Sequence, residues 1–255
     1  MREDSRGGLT NTLSIFECDL IRVSFALLLL SVTLSSFAGG QGGGGERAGK
    51  HRVRVTPDME EQKGLMLTAE SNIYQGTVYA NTFIEYLTAN RWDVGLYVFN
   101  MTLYGGGAQN FEYDAYVSIT KWLDISDRWK VALGTQNGTT LFSSTRSWHD
   151  FSFVQNVVKV NDYLSAGVGI FYVNRALATI NQPIGAMFGF DVNFIPRKLW
   201  AELDFVSGNT NISGSVVNLF WKPTRHIDLY TGIQVPATGS GNEFAGNVGL
   251  MYSIE

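Results

Sequence analysis

The sequence predicts an all-β fold, a transmembrane antiparallel up-and-down β-barrel of twelve strands. Three observations predict it: side chains alternate apolar and polar with period two from residue 63 onward, a secretory leader precedes them, and charge is sparse. Of 255 residues, 45% are hydrophobic and 16% charged, where soluble domains carry about a quarter charged. Ordinary solvated surface is therefore small. Glycine is abundant at 28 residues and proline scarce at 5, which excludes collagen and a disordered low-complexity chain. No stretch beyond residue 40 approaches the roughly 18 consecutive apolar residues of a spanning helix, so a polytopic helical membrane protein is excluded. With 19 Lys+Arg against 23 Asp+Glu and no basic stripe, nucleic acid is not an expected partner.

The first element is an address. Arg22 precedes the apolar run Val23 to Leu34, and Ser36 and Ala38 supply small residues at −3 and −1 of a cut after Ala38, a secretory signal pattern. Residues 1–38 are read as the signal peptide; the rival, a single membrane anchor, needs a longer apolar core. Cys18 is the only cysteine and falls in this leader. The mature chain then has no disulfide, no thiol nucleophile and no lipid-bearing cysteine. Residues 39–62 follow as a flexible periplasmic linker: Gly42 to Gly45, a basic cluster (Arg47, Lys50, His51, Arg52, Arg54), then Asp58, Glu60 and Glu61. Such a segment cannot bury a core. Its basic cluster reads as a solvated tail or as a contact for an anionic partner such as lipopolysaccharide.

Residues 63–255 form the barrel. A transmembrane strand needs about 9–11 residues with apolar groups toward lipid and polar or small ones inside, and the signal gains strength by repetition. Phe111-Glu112-Tyr113-Asp114-Ala115-Tyr116-Val117-Ser118-Ile119-Thr120 shows it plainly, as do Ile184 to Phe194 and Leu199 to Phe205. A one-residue slip would put carboxylates in lipid, so register is well specified. Runs between turn signals predict strands at 63–73, 77–88, 91–103, 110–123, 129–140, 148–160, 163–174, 183–195, 198–207, 213–222, 226–236 and 243–254. The even count lets the sheet close with both ends on the periplasmic side, satisfying every backbone group in hydrocarbon. Connections after even-numbered strands are short and those after odd-numbered ones mostly longer and rich in Gly, Ser and Thr, the asymmetry of periplasmic turns and outer loops. Trp92, Trp122, Trp129, Trp200 and Trp221 cluster by the short turns and Trp148 by the opposite rim, as in aromatic girdles. Trp122 and Trp200 nevertheless have inward parity. A soluble β-sandwich, the competing fold, would need a second polar outer face that the alternation does not supply.

The inward set is acidic. Glu70, Glu85, Asp93, Glu112, Asp114, Asp191, Glu202, Asp204 and Asp228 oppose Lys130 and Lys222 as the main cations. Carboxylates in a narrow water-filled channel favour cations because the low-dielectric wall focuses their field. Glu112/Asp114 and Glu202/Asp204 are i,i+2 pairs about 7 Å apart on one face. They could hold Ca²⁺; the commoner use of inward acids is to salt-bridge lumenal cations and hydrate the interior. Tyr79, Phe83, Tyr97, Phe99, Tyr116 and Phe171 also turn inward, either to stack planar or sugar-like solutes or to fill a narrow lumen as packing.

The stretch Asn81-Thr82-Phe83-Ile84-Glu85-Tyr86-Leu87, followed by Arg91-Trp92-Asp93-Val94-Gly95-Leu96-Tyr97 and Gly105 to Gly107, resembles the early hairpin of the nucleoside-specific outer-membrane channel family, over about 30 residues. The resemblance implies a twelve-stranded barrel in which Phe83, Glu85, Asp93 and Tyr97 line a path for nucleosides or similar solutes. Outer-membrane lipids and the barrel-assembly machinery are the implied partners. The chain ends Met251-Tyr252-Ser253-Ile254-Glu255, not on the terminal aromatic that many such barrels present to that machinery.

An enzyme is a third class that the sequence admits. An outer-membrane lipid hydrolase would draw on His149, Ser152 and Asn156, but no oriented third group or oxyanion donor accompanies them. No histidine pair has metal-ligand spacing, and the Gly-rich runs lack a following helix for phosphate. No cofactor is expected. The reading is an outer-membrane channel for passive diffusion of small polar solutes, cation- or nucleoside-preferring; the alternative is a structural or surface-interaction barrel whose lumen is closed by its own rings.

Overall fold

The computed structural model describes residues 64–105, 113–142, 147–178, 182–210, 212–240 and 242–254; the leader and linker expectations fall outside these. The strands are β1 (Gly64–Tyr74), β2 (Thr77–Leu87), β3 (Trp92–Gly105), β4 (Tyr113–Ser126), β5 (Trp129–Leu141), β6 (Trp148–Lys159), β7 (Leu164–Val173), β8 (Ile184–Ile195), β9 (Leu199–Val206), β10 (Gly214–Trp221), β11 (Ile227–Pro236) and β12 (Ala245–Ile254). Each pairs with its neighbours in chain order, and β12 pairs antiparallel with β1, from Leu65 opposite Ile254 to Ile73 opposite Gly246. The sheet is a closed twelve-stranded barrel, so none of its strands is left with an unpaired edge in hydrocarbon.

The period-two pattern fixes which face each residue takes. Along β8, Ile184, Phe188, Phe190, Val192 and Phe194 are exposed while Met187 and Asp191 are buried. One set meets lipid and the other the lumen. Trp92, Trp129 and Trp221 stand exposed at the short-turn end and Trp148 at the long-loop end, so they bracket the apolar wall as girdles. Trp122 is buried at 8% exposure, and Trp200 packs against the inward Phe220, in keeping with their inward parity.

β4 departs most from the expected limits, and β3 carries a bulge inside them. β4 continues to Ser126 instead of stopping near residue 123, because Asp124 and Ser126 pair with Lys130 and Trp129 across a bulge. The polar letters there spell a turn, yet only Asp127 and Arg128 make it. In β3, Asn100 has φ 63°, and Phe99 and Asn100 together stand opposite Asn81, between the pairs Thr82–Val98 and Ala80–Met101. This bulge resets the alternation of β3 beyond residue 100.

Candidate functional site in the lumen

Hydrogen bonds link inward side chains of six strands into a belt that runs from β11 past β12 to β5. From β11, the Tyr230 hydroxyl donates to Glu70 Oε2 on β1 at 2.8 Å. Asn81 of β2 donates to Glu70 Oε1 at 2.8 Å and accepts the backbone N–H of Asn100 at 3.0 Å. Asn100 Nδ2 donates to Asp114 Oδ2 on β4 at 3.0 Å, and Thr140 of β5 donates to Asp114 Oδ1 at 2.6 Å. Both carboxylates are thus held by neutral donors, which orient the charge without cancelling it. Further amides extend the lining: Gln234 donates to Asn72 at 3.1 Å and Asn247 to Asn218 at 2.8 Å. Reasoning from sequence passed over these amides in favour of charges, although their inward parity was a sufficient signal.

Aromatic rings lie along the wall because glycines on neighbouring strands make room for them. A Cβ at Gly138 would strike the Tyr116 ring, one at Gly134 the Phe153 ring, one at Gly185 the Phe171 ring and one at Gly249 the Tyr230 ring. The rings form three arcs. Phe83, Tyr97, Phe99 and Tyr116 occupy β2 to β4, with Phe83 and Phe99 centroids 5.1 Å apart. Phe151, Phe153 and Phe171 occupy β6 and β7. Trp200, Phe220 and Tyr230 stack across β9 to β11 with centroid spacings of 5.0 and 4.9 Å.

Charge is unevenly distributed. Glu85 accepts the Tyr97 hydroxyl at 2.7 Å, so Phe83, Glu85 and Tyr97 come together, with Asp93 at an inward position of the same hairpin. On the opposite side Asp191 of β8 is the cross-strand partner of Glu202 on β9. Asp204 lies two residues beyond Glu202, and all three are buried. Asp228 pairs with Lys222 at 3.6 Å. The inward lysines Lys130, Lys159 and Lys222 all lie at the short-turn end, and among the described residues no strand contains arginine. Glu112 lies outside the described residues. No group of three or more His, Cys, Asp or Glu among the described residues is arranged to hold a metal ion.

The hydrolase candidates are not brought together. His149 is buried and faces inward, its Nδ1 2.6 Å from the Tyr116 hydroxyl and its Nε2 2.8 Å from Ser147 Oγ. Ser152 and Asn156 stand on the outward face of β6; Ser152 donates to Asp150 at 2.9 Å and Asn156 accepts from the Trp129 indole at 3.3 Å. The sequence distance was short, but odd and even positions of one strand cannot converge.

No family model matches the chain, and no curated protein matches it. Solved structures share the fold. A KdgM porin superposes with TM-score 0.58 at 13% identity, covering 74% of this chain and 99% of that one. A KdgM porin in complex with disordered oligogalacturonate gives 0.57 at 14% identity, with 74% and 99% coverage. A NanC porin gives 0.54 at 11% identity, with 75% and 100% coverage. The architecture is that of an outer-membrane β-barrel, consistent with a place in the bacterial outer membrane.

Proposed function

We propose that this chain is a passive outer-membrane channel for small polar solutes whose lumen favours cationic and neutral solutes over anions. The observation that supports it most is the charge of the inward wall. Carboxylates stand on β1, β2, β3, β4, β8, β9 and β11, while the inward lysines are confined to one end. Glu70 and Asp114 accept hydrogen bonds from neutral groups, so their field extends into the lumen, where low-dielectric walls concentrate it. Phe83, Glu85, Asp93, Tyr97, Asp114, Asp191, Glu202, Asp204 and Asp228 line the path in this reading. Rings packed over glycines of the wall give the lumen an aromatic lining on which a planar base or sugar stacks. Nucleosides therefore belong among the neutral solutes, with Phe83 and Tyr97 as the stacking surface. An acidic sugar such as the oligogalacturonate held by one structural neighbour would meet like charge here.

Reconstitution of the purified protein in a planar bilayer under a KCl gradient tests this. Discrete conductance steps with a reversal potential displaced toward that of K⁺ are expected, and in liposome swelling neutral sugars and nucleosides should enter faster than sugar acids. A folded protein that conducts nothing, or one with anion bias, overturns the reading.

A further inference from the structure

One patch of the outer wall breaks the apolar pattern. On β5 and β6 the outward positions carry Thr135, Asn137, Asp150 and Ser152, half-buried and linked to one another. Ser152 donates to Asp150 Oδ1 at 2.9 Å, Ser152 and Thr135 hydroxyls are 3.0 Å apart, and Asn137 Nδ2 donates to Thr135 at 2.7 Å. Asp150 Oδ2 and the second amide hydrogen of Asn137 take no part in these bonds. Among the described residues Asp150 is the one carboxylate at an outward strand position, two residues along β6 from the exposed Trp148. Elsewhere this wall is mainly Leu, Ile, Val and Phe: Val168, Ile170, Phe188, Leu203 and Leu219 are exposed. An amide and a carboxylate facing hydrocarbon are costly unless something polar meets them.

We infer that this patch is the interface between two copies of the chain. The register makes it self-complementary. Asn137 is the cross-strand partner of Asp150, and Thr135 of Ser152. A two-fold axis parallel to the barrel axis and passing between β5 and β6 exchanges the two strands across the interface. It sets Asn137 of one copy against Asp150 of the other and Thr135 against Ser152, each twice. The amide donates where the carboxylate accepts, and hydroxyls do either. No like charges need meet. The short side chains let the two walls approach, as small and polar residues do at interfaces inside membranes. Trp148 above and Leu133 and Val154 below, all exposed, frame the polar centre with apolar contact area.

Cross-linking tests this with the polar residues intact, and their replacement tests it a second time. In a Cys18→Ser background, Val154→Cys places a thiol beside the predicted axis, and Ile233→Cys on β11 places one on the far wall. Treatment of intact outer membranes with a short bis-maleimide should give a doubled-mass band with Val154→Cys and none with Ile233→Cys. The full chain in mild detergent should show twice the protomer mass by light scattering, and Asn137→Leu/Asp150→Leu should reduce it to one, with folding checked by heat-modifiable mobility and conductance per barrel unchanged. Monomeric wild-type protein in both experiments, or cross-linking of equal yield at both cysteines, overturns the inference; so does a monomer that retains phosphate-bearing lipid until Asp150 is replaced, which would assign the patch to a headgroup.

Discussion

At the scale of single residues, the lumen depends on pairs in which one strand lacks a side chain and its neighbour supplies a ring. Tyr230 reaches Glu70 only by crossing Gly249 on the strand between them. Gly249→Val should push the ring off the wall and lower stability by about 1–3 kcal/mol, the usual cost of overpacking. Tyr230→Phe, which removes a hydrogen bond to a carboxylate, should cost about 1.5–3 kcal/mol. The two act on one ring, so the double variant should cost less than their sum, read by urea unfolding in phospholipid vesicles; additive losses would mean the ring does not depend on Gly249. This partnership was not legible in the sequence. Gly249 and Tyr230 are both visible there as inward residues, but which glycine lies under which ring depends on cross-strand register, and register is set by closure of the whole sheet.

At the scale of the element, alternation was legible almost to the residue, because the penalty for error is borne by every side chain of a strand. The strand limits expected from turn signals fall within a few residues of those observed, and the largest departure, at β4, arises where Asp124 and Ser126 continue a ladder that polar residues conceal. The same penalty predicts contrasting outcomes at adjacent positions of β9. Leu203→Lys, facing lipid, should destabilise the barrel by about 2–4 kcal/mol near mid-membrane. Asp204→Asn, one residue on but facing the lumen, should leave unfolding nearly unchanged. Equal losses would contradict the assignment of faces. The bulge of β3 makes a second demand. Asn100 adopts a left-handed conformation that asparagine tolerates and β-branched residues do not, and its amide holds Asp114. Asn100→Val should therefore cost more than the 1–2 kcal/mol or so of backbone strain alone, while Asn100→Gly should relieve the strain and lose only the side-chain bonds. Vesicle unfolding of the two variants gives the order directly.

At the scale of the whole molecule, the proposed selectivity is a property of summed charge and not of any one carboxylate. The acids are spread over seven strands, and some are partly offset, as Asp228 is by Lys222. Composition already hinted at this through its excess of inward acids; it could not reveal that Glu70 and Asp114 are held by neutral donors, since those donors lie on other strands. A distributed field has a characteristic response to salt. The Debye length is about 30 Å at 0.01 M and about 3 Å at 1 M, so at low salt a permeating ion feels the acids of the whole wall and at high salt only those it passes. The cation-to-anion permeability ratio from reversal potentials should accordingly fall several-fold between those concentrations. Glu202→Gln/Asp204→Asn, which removes two neighbouring charges opposite the Glu70–Asp114 belt, should lower the ratio at low salt and matter little at high salt. A ratio that is independent of salt but abolished by this pair would instead locate selectivity at one narrow point beside β9, and the remaining acids would then serve only to hydrate and brace the wall.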